Sequence, residues 1–119
     1  MVTVTEAEGL AELGLWQDAW DVLESLPAHE RSAQASLRVR LACCPHLCAW
    51  EMGKHIADLL RNGGEDDRRS AAGFFHALAI KWLAEGDRYA AGEAMKAASA
   101  TWPDVRLTLL DDPQLSELL

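Results

Sequence analysis

The chain has 119 residues, 50% of them hydrophobic and 25% charged, with a formal net charge of −8. That length suits one domain with one core, and the composition excludes a disordered chain. The acidic balance argues against a free-standing nucleic-acid binder, because Arg68-Arg69, the longest basic run, is cancelled locally by Glu65-Asp66-Asp67.

Ala and Leu are frequent and β-branched residues scarce, which favours helix throughout. The opening stretch MVTVTEAEGL has neither a basic start nor a long apolar core, so no signal peptide is expected. No run approaches the ~18 apolar residues of a membrane span, so a cytoplasmic location and no membrane partner are the default expectations.

In chain order, the first predicted helix covers 2–13, with Glu6, Glu8 and Glu12 outward and Ala7, Leu10, Ala11 and Leu13 inward. Gly14 suits a left-handed turn at its end. The partner helix covers 16–26, with Trp16, Ala19, Trp20, Leu23 and Leu26 on one stripe and Pro27 stopping it. A third helix is predicted over 30–44, with Ala33, Leu37, Leu41 and Cys44 as its stripe and Arg31, Arg38 and Arg40 as polar neighbours. Pro45 then reads as the first-turn proline of a fourth helix over 46–60, whose stripe is Ala49, Met52 or Gly53, Ile56 and Leu60. Ala49-Trp50-Glu51-Met52 echoes Ala19-Trp20-Asp21-Val22, which suggests internal repetition.

The stretch 62–67 reads as a loop. The clearest element follows, a helical hairpin over 70–101 turning at Gly86-Asp87. Phe75, Leu78, Ala79 and Trp82 form one apolar stripe, and Ala91, Ala94, Met95 and Ala98 form a stripe of mostly small residues facing it. Pro103 opens a short helix, Asp111-Asp112-Pro113 breaks it, and the tail reads as a cap over the last hairpin.

Phe75, Leu78-Ala79, Trp82, Gly86, Ala91, Met95, Ala98 and Pro103 resemble a tetratricopeptide repeat, and Gly14-Leu15-Trp16-Gln17-Asp18-Ala19 resembles its turn. The resemblance implies an all-α, right-handed solenoid over 1–119. Its hairpins would span about 2–27, 30–61 and 68–102, with a capping helix over 103–119. In this reading Cys44 replaces the turn glycine of the middle repeat. The resemblance also implies peptide binding on a concave face formed by the first helix of each pair. Carried over by position, that face holds Val4, Glu8 and Ala11, then Gln34, Arg38 and Leu41, then His76, Ile80 and Leu83. Val4 and Glu8 stand where one subgroup needs Lys and Asn, so a carboxylate clamp of that kind is disfavoured.

Cys43-Cys44-Pro45-His46-Leu47-Cys48, with His55 downstream, is the one stretch with metal-ligand chemistry. Its spacing is poor, and buried inert thiols are the simpler reading. A helix starting at Pro45 would lower a nearby thiol's pKa. The tryptophans fall at core spacing, apart from Trp50.

The expected function is therefore a non-catalytic scaffold that binds a peptide or protein segment, with no cofactor and no metal. The alternative is a small acidic chaperone or regulatory subunit of a secretion or envelope assembly. Self-association stays open, and a Cys/His metal protein or enzyme comes third.

Overall fold

The computed structural model describes residues 3–104 together with Asp111 and Pro113. The expected cap over 103–119 lies outside the described residues except at Pro103, Asp104, Asp111 and Pro113. The main helices, in order, are α1 (Val4–Glu12), α2 (Trp16–Glu24), α3 (Ala28–Arg31), α4 (Gln34–Cys43), α5 (Trp50–Leu60), α6 (Glu65–Ala84) and α7 (Arg88–Thr101). The described residues contain no strand, so the fold is all-α. They also contain no helix long and apolar enough to cross a membrane. The chain divides into two compact units, Met1–Ile56 and Ala57–Leu119.

In the first unit, Thr3 caps α1 by accepting the Glu6 N–H at 3.2 Å. Ala7, Leu23, Leu26 and Val39 form a buried cluster, with Val4, Ala11 and Val22 packed against it. Helix α4 packs on both α1 and α2. Leu13 turns outward and is 75% exposed, not inward as its spacing suggested, because α1 stops at Glu12.

The helix expected over 30–44 is broken. The Ser32 hydroxyl bonds back to the Ala28 and His29 carbonyls at 3.2 and 3.3 Å, and Ala33 is extended at φ −66°, ψ 150°. This break rotates α4 relative to the expected stripe. Ala33 is exposed and Leu37 half-buried, while Ser36, Val39, Arg40 and Cys43 join Leu41 and Cys44 inside. The helix expected over 46–60 starts four residues late. Pro45 lies in a turn where the His46 and Leu47 N–H groups both donate to the Cys43 carbonyl at 3.1 Å, closing α4 instead of opening α5.

The second unit holds the predicted hairpin of α6 and α7. Asp87 caps α7 by accepting the Ala90 N–H at 2.9 Å. The loop expected over 62–67 is shorter, since Glu65, Asp66 and Asp67 form the first turn of α6, where the helix dipole favours carboxylates. Gly63 sits so close to the buried Asp67 side chain that a Cβ there would collide with it. Phe75, Leu78, Ala79, Ala91, Ala94, Met95 and Ala98 are buried as expected. Trp82, expected on the same stripe, is only half-buried.

Three turns share one geometry. Gly14, Cys48 and Gly86 have φ of 77°, 55° and 83°. In each turn the next residue donates its N–H to the carbonyl five positions back: Leu15 to Leu10, Ala49 to Cys44 and Asp87 to Trp82, all at 2.9 Å. This is the longer bond of a Schellman closure. Counting from the turn residue, the same positions are buried every time. They are Ala7, Leu41 and Ala79 before it; after it they are Ala19, Gly53 and Ala91, then Leu23, Ala57 and Met95, then Leu26, Leu60 and Ala98.

This geometry moves the middle turn from its expected place. Cys48, not Cys44, takes the glycine's place, and Trp50 stands where Trp16 stands. Gly53 replaces Ala49, which is half-buried, as the small residue of the second helix. The first two turns lie 34 residues apart, so the Ala-Trp-acid stretches thirty residues apart do not stand at matching positions from them.

Candidate functional site

The residues expected to line a binding face fall in both units. In the first, Glu8 is exposed on α1, Gln34 opens α4 and is exposed, and Arg38 is half-buried one turn further on. In the second, His76, Ile80 and Leu83 lie half-buried along α6. The shared turn register keeps Arg38 equivalent to Val4 and His76. It replaces Gln34 and Leu41 with Ala42 and Pro45, because Leu41 belongs to the fully buried set. None of the nine residues Val4, Glu8, Ala11, Arg38, Ala42, Pro45, His76, Ile80 and Leu83 is buried. These nine positions are therefore exposed or half-buried, and Val4 and Ala11 among them also pack against the core of the first unit.

Arg40 was expected among polar neighbours and is instead 8% exposed. Its guanidinium donates to the Glu24 carboxylate at 2.6 Å and lies 4.4 Å from the Trp20 ring centre. In the same unit, the Trp16 indole and His46 imidazole stack at 4.0 Å with 6° between planes. In the second unit the Arg68 and Arg69 guanidiniums lie 5.3 and 5.2 Å from the centre of Trp102. All five tryptophans are half-buried, so they serve as edges between core and surface and not as core.

Cys43 and Cys44 are buried and Cys48 is exposed. Burial pushes the Cys44 thiol up to about 11, its neighbour Cys43 adding to the rise and Arg40 opposing it. Burial likewise raises Cys43 against the pull of Arg40. The expected activation by a helix at Pro45 is therefore overturned, since no helix starts there. Cys48 sits in the turn and cannot share a helix face with His55. Among the described residues no three His, Cys, Asp or Glu side chains converge as a metal ion requires.

The first unit also contains an open groove of about 460 Å³ that the sequence did not suggest. It lies between the start of α1 and the α3–α4 break, lined by Thr3, Val4, Pro27, Glu30, Ala33, Ala35 and Ser36. The break creates it, because a continuous helix would not set Ala33 apart from the core. Only the short spacing from Pro27 to Ser32 hinted at the break.

No protein-family model, no curated protein and no solved structure matches this chain.

Proposed function

We propose that the chain is a non-catalytic protein-interaction module of tetratricopeptide-like helical pairs, which binds polypeptide segments through the accessible sides of its first helices. The observation that carries this reading is the common register. Three turns with positive φ repeat with the same buried positions, the first two at the 34-residue period of that repeat class. Repetition of that kind supports a right-handed solenoid as the finer architecture. The first unit contributes the cation Arg38 and the carboxylate Glu8 on its first helices, and the second the imidazole His76 and the apolar Ile80 and Leu83. Groups of these kinds suit recognition of a polypeptide.

A photo-crosslinking residue placed at 38 or 76, in the native cell, tests this. Discrete polypeptide adducts are expected from both positions, and few from the opposite-side positions 21 and 51. Adducts from 21 and 51 alone would overturn the assignment of the face.

A further inference from the structure

We infer that the groove between the start of α1 and the α3–α4 break is a docking site for a polypeptide segment that presents an apolar side chain beside a lysine or arginine. This rests on the interaction-module reading and gives it a partner chemistry.

Two properties of the lining carry the inference. Its floor is apolar, from Val4, Pro27, Ala33 and Ala35. Its polar atoms are largely committed within the chain: the Thr3 hydroxyl oxygen accepts the Glu6 N–H, and the Ser36 hydroxyl donates to the Glu30 carbonyl at 2.6 Å. One charged side chain remains in the lining, the exposed carboxylate of Glu30, whose neighbour is the exposed His29 imidazole at 3.9 Å. A cation would find its counter-charge there, and an anion would not.

The α1–α2 hairpin on one side of the groove has the same sign, while Arg31, Arg38 and Arg40 belong to the α3–α4 side. Residues 1–28 contain Glu6, Glu8, Glu12, Asp18, Asp21 and Glu24 and no Lys, Arg or His. Among the described residues of this unit, Glu24 alone of these has a cationic partner, Arg40. The hairpin of α1 and α2 is therefore a one-signed surface that steers a cationic segment towards the groove. The volume falls within the range of roughly 300–1,000 Å³ typical of sites that enclose ligand groups.

The test uses a labelled synthetic peptide of leucine pairs alternating with lysines. Two comparators replace the lysines with glutamates or the leucines with serines. Binding to the folded protein is read by fluorescence anisotropy, and its location by amide chemical-shift changes. The Leu/Lys peptide is expected to bind and to shift Thr3, Val4, Ala35 and Ser36, and both comparators are expected to bind weakly. Ala33→Trp, which fills the groove, and Glu30→Lys, which reverses its charge, should each weaken binding by about tenfold or more. Glu12→Lys makes the same change in net charge outside the groove and should weaken it by less than about threefold. Circular dichroism checks the fold of each variant, and shift mapping on the parent does not depend on any of them.

Equal losses from Glu30→Lys and Glu12→Lys would reduce the effect to diffuse attraction and overturn the inference. So would full binding to Ala33→Trp, or no binding at all. Dimerisation of the free protein that Ala33→Trp abolishes would make a second copy the occupant, and would equally overturn it. Shifts confined to His76 and Ile80 would remove the groove from the account while leaving the interaction-module reading intact. Loss of crosslinks at 38 and 76 would remove the latter without touching the peptide result.

Discussion

Cys48 holds the same left-handed turn position as Gly14, 34 positions earlier, although it carries a side chain. The two turns close with bonds of the same length, from Leu15 to Leu10 and from Ala49 to Cys44. A left-handed conformation costs a residue with a Cβ roughly 1–2 kcal/mol, which glycine avoids. Part of that gain is lost to the greater freedom of glycine in the unfolded chain. Cys48→Gly should therefore stabilise the protein by about 0.5–1 kcal/mol in urea denaturation, and Gly86→Ala should destabilise it by about as much or more. The Cys48 side chain is exposed, so little packing is lost. A destabilised Cys48→Gly would show that the thiol makes contacts outweighing the backbone term.

Arg40 is held by two partners from α2, the Glu24 carboxylate and the Trp20 ring. The Glu24 side chain is 51% exposed, so solvent screens the ion pair. Glu24→Gln should accordingly cost no more than about 1 kcal/mol. Arg40→Ala should cost more, about 2–3 kcal/mol, because it removes buried packing and the guanidinium–indole contact together. Arg40→Lys should recover little, since an ammonium cannot stack flat on Trp20. Thermal melts of the three variants check the order. Equal losses for Glu24→Gln and Arg40→Ala would mean the charge pair dominates.

The all-α class and the last hairpin were legible because their signals are local. The spacing of Phe75, Leu78 and Ala79, the Gly86 turn and the small residues of α7 all lie within one stretch. The middle turn was misplaced at Cys44 because its left-handed residue is Cys48, and a reading keyed to glycine passes over it. The correct spacing was nevertheless present, in Trp16 with Trp50 and in Leu26 with Leu60. Burial of Arg40 was not legible, since it depends on Trp20 and Glu24, far back in the sequence. The groove was missed for a similar reason. It exists because Ser32 turns its hydroxyl onto the preceding carbonyls, a choice that competes closely with continuing the helix.

Phe75 and Trp82 were read as equal partners in the last hairpin, and their burial separates them. Phe75 is 6% exposed, with Phe74 edge-on at 6.1 Å and the Arg61 guanidinium 5.3 Å from its ring centre. Trp82 is half-buried, with the Lys81 ammonium 3.9 Å from its ring centre. Phe75→Ala should cost about 3–5 kcal/mol, the usual range for a large buried aromatic. Trp82→Ala should cost clearly less, because part of its surface already faces water. Denaturant midpoints with unchanged slopes would give the comparison. A greater loss for Trp82→Ala would show that exposure does not rank the two rings.

The thiols give the pH dependence. The Cys44 thiol is raised from near 9 to about 11 by burial, and Cys43 moves in the same direction. In the unfolded chain both ionise near their ordinary value. Above pH 9 the unfolded state thus binds fewer protons than the folded one, so stability falls as pH rises, until the folded thiol ionises near 11. A two-unit shift corresponds to a decline of about 2–3 kcal/mol for Cys44 across that window. Contributions other than that of the Cys44 thiol are common to parent and variant, so the comparison must be made against Cys44→Ala. That variant should be less stable than the parent at neutral pH, through lost packing, yet show a flatter decline between pH 9 and 11. The same burial makes a kinetic prediction. A thiol reagent at mildly alkaline pH should modify Cys48 rapidly, and Cys43 and Cys44 only as fast as the first unit opens. Rapid reaction of all three thiols in the folded protein, or parallel alkaline declines for parent and Cys44→Ala, would show that the α4 end is open to solvent and that its thiols are not held in the core.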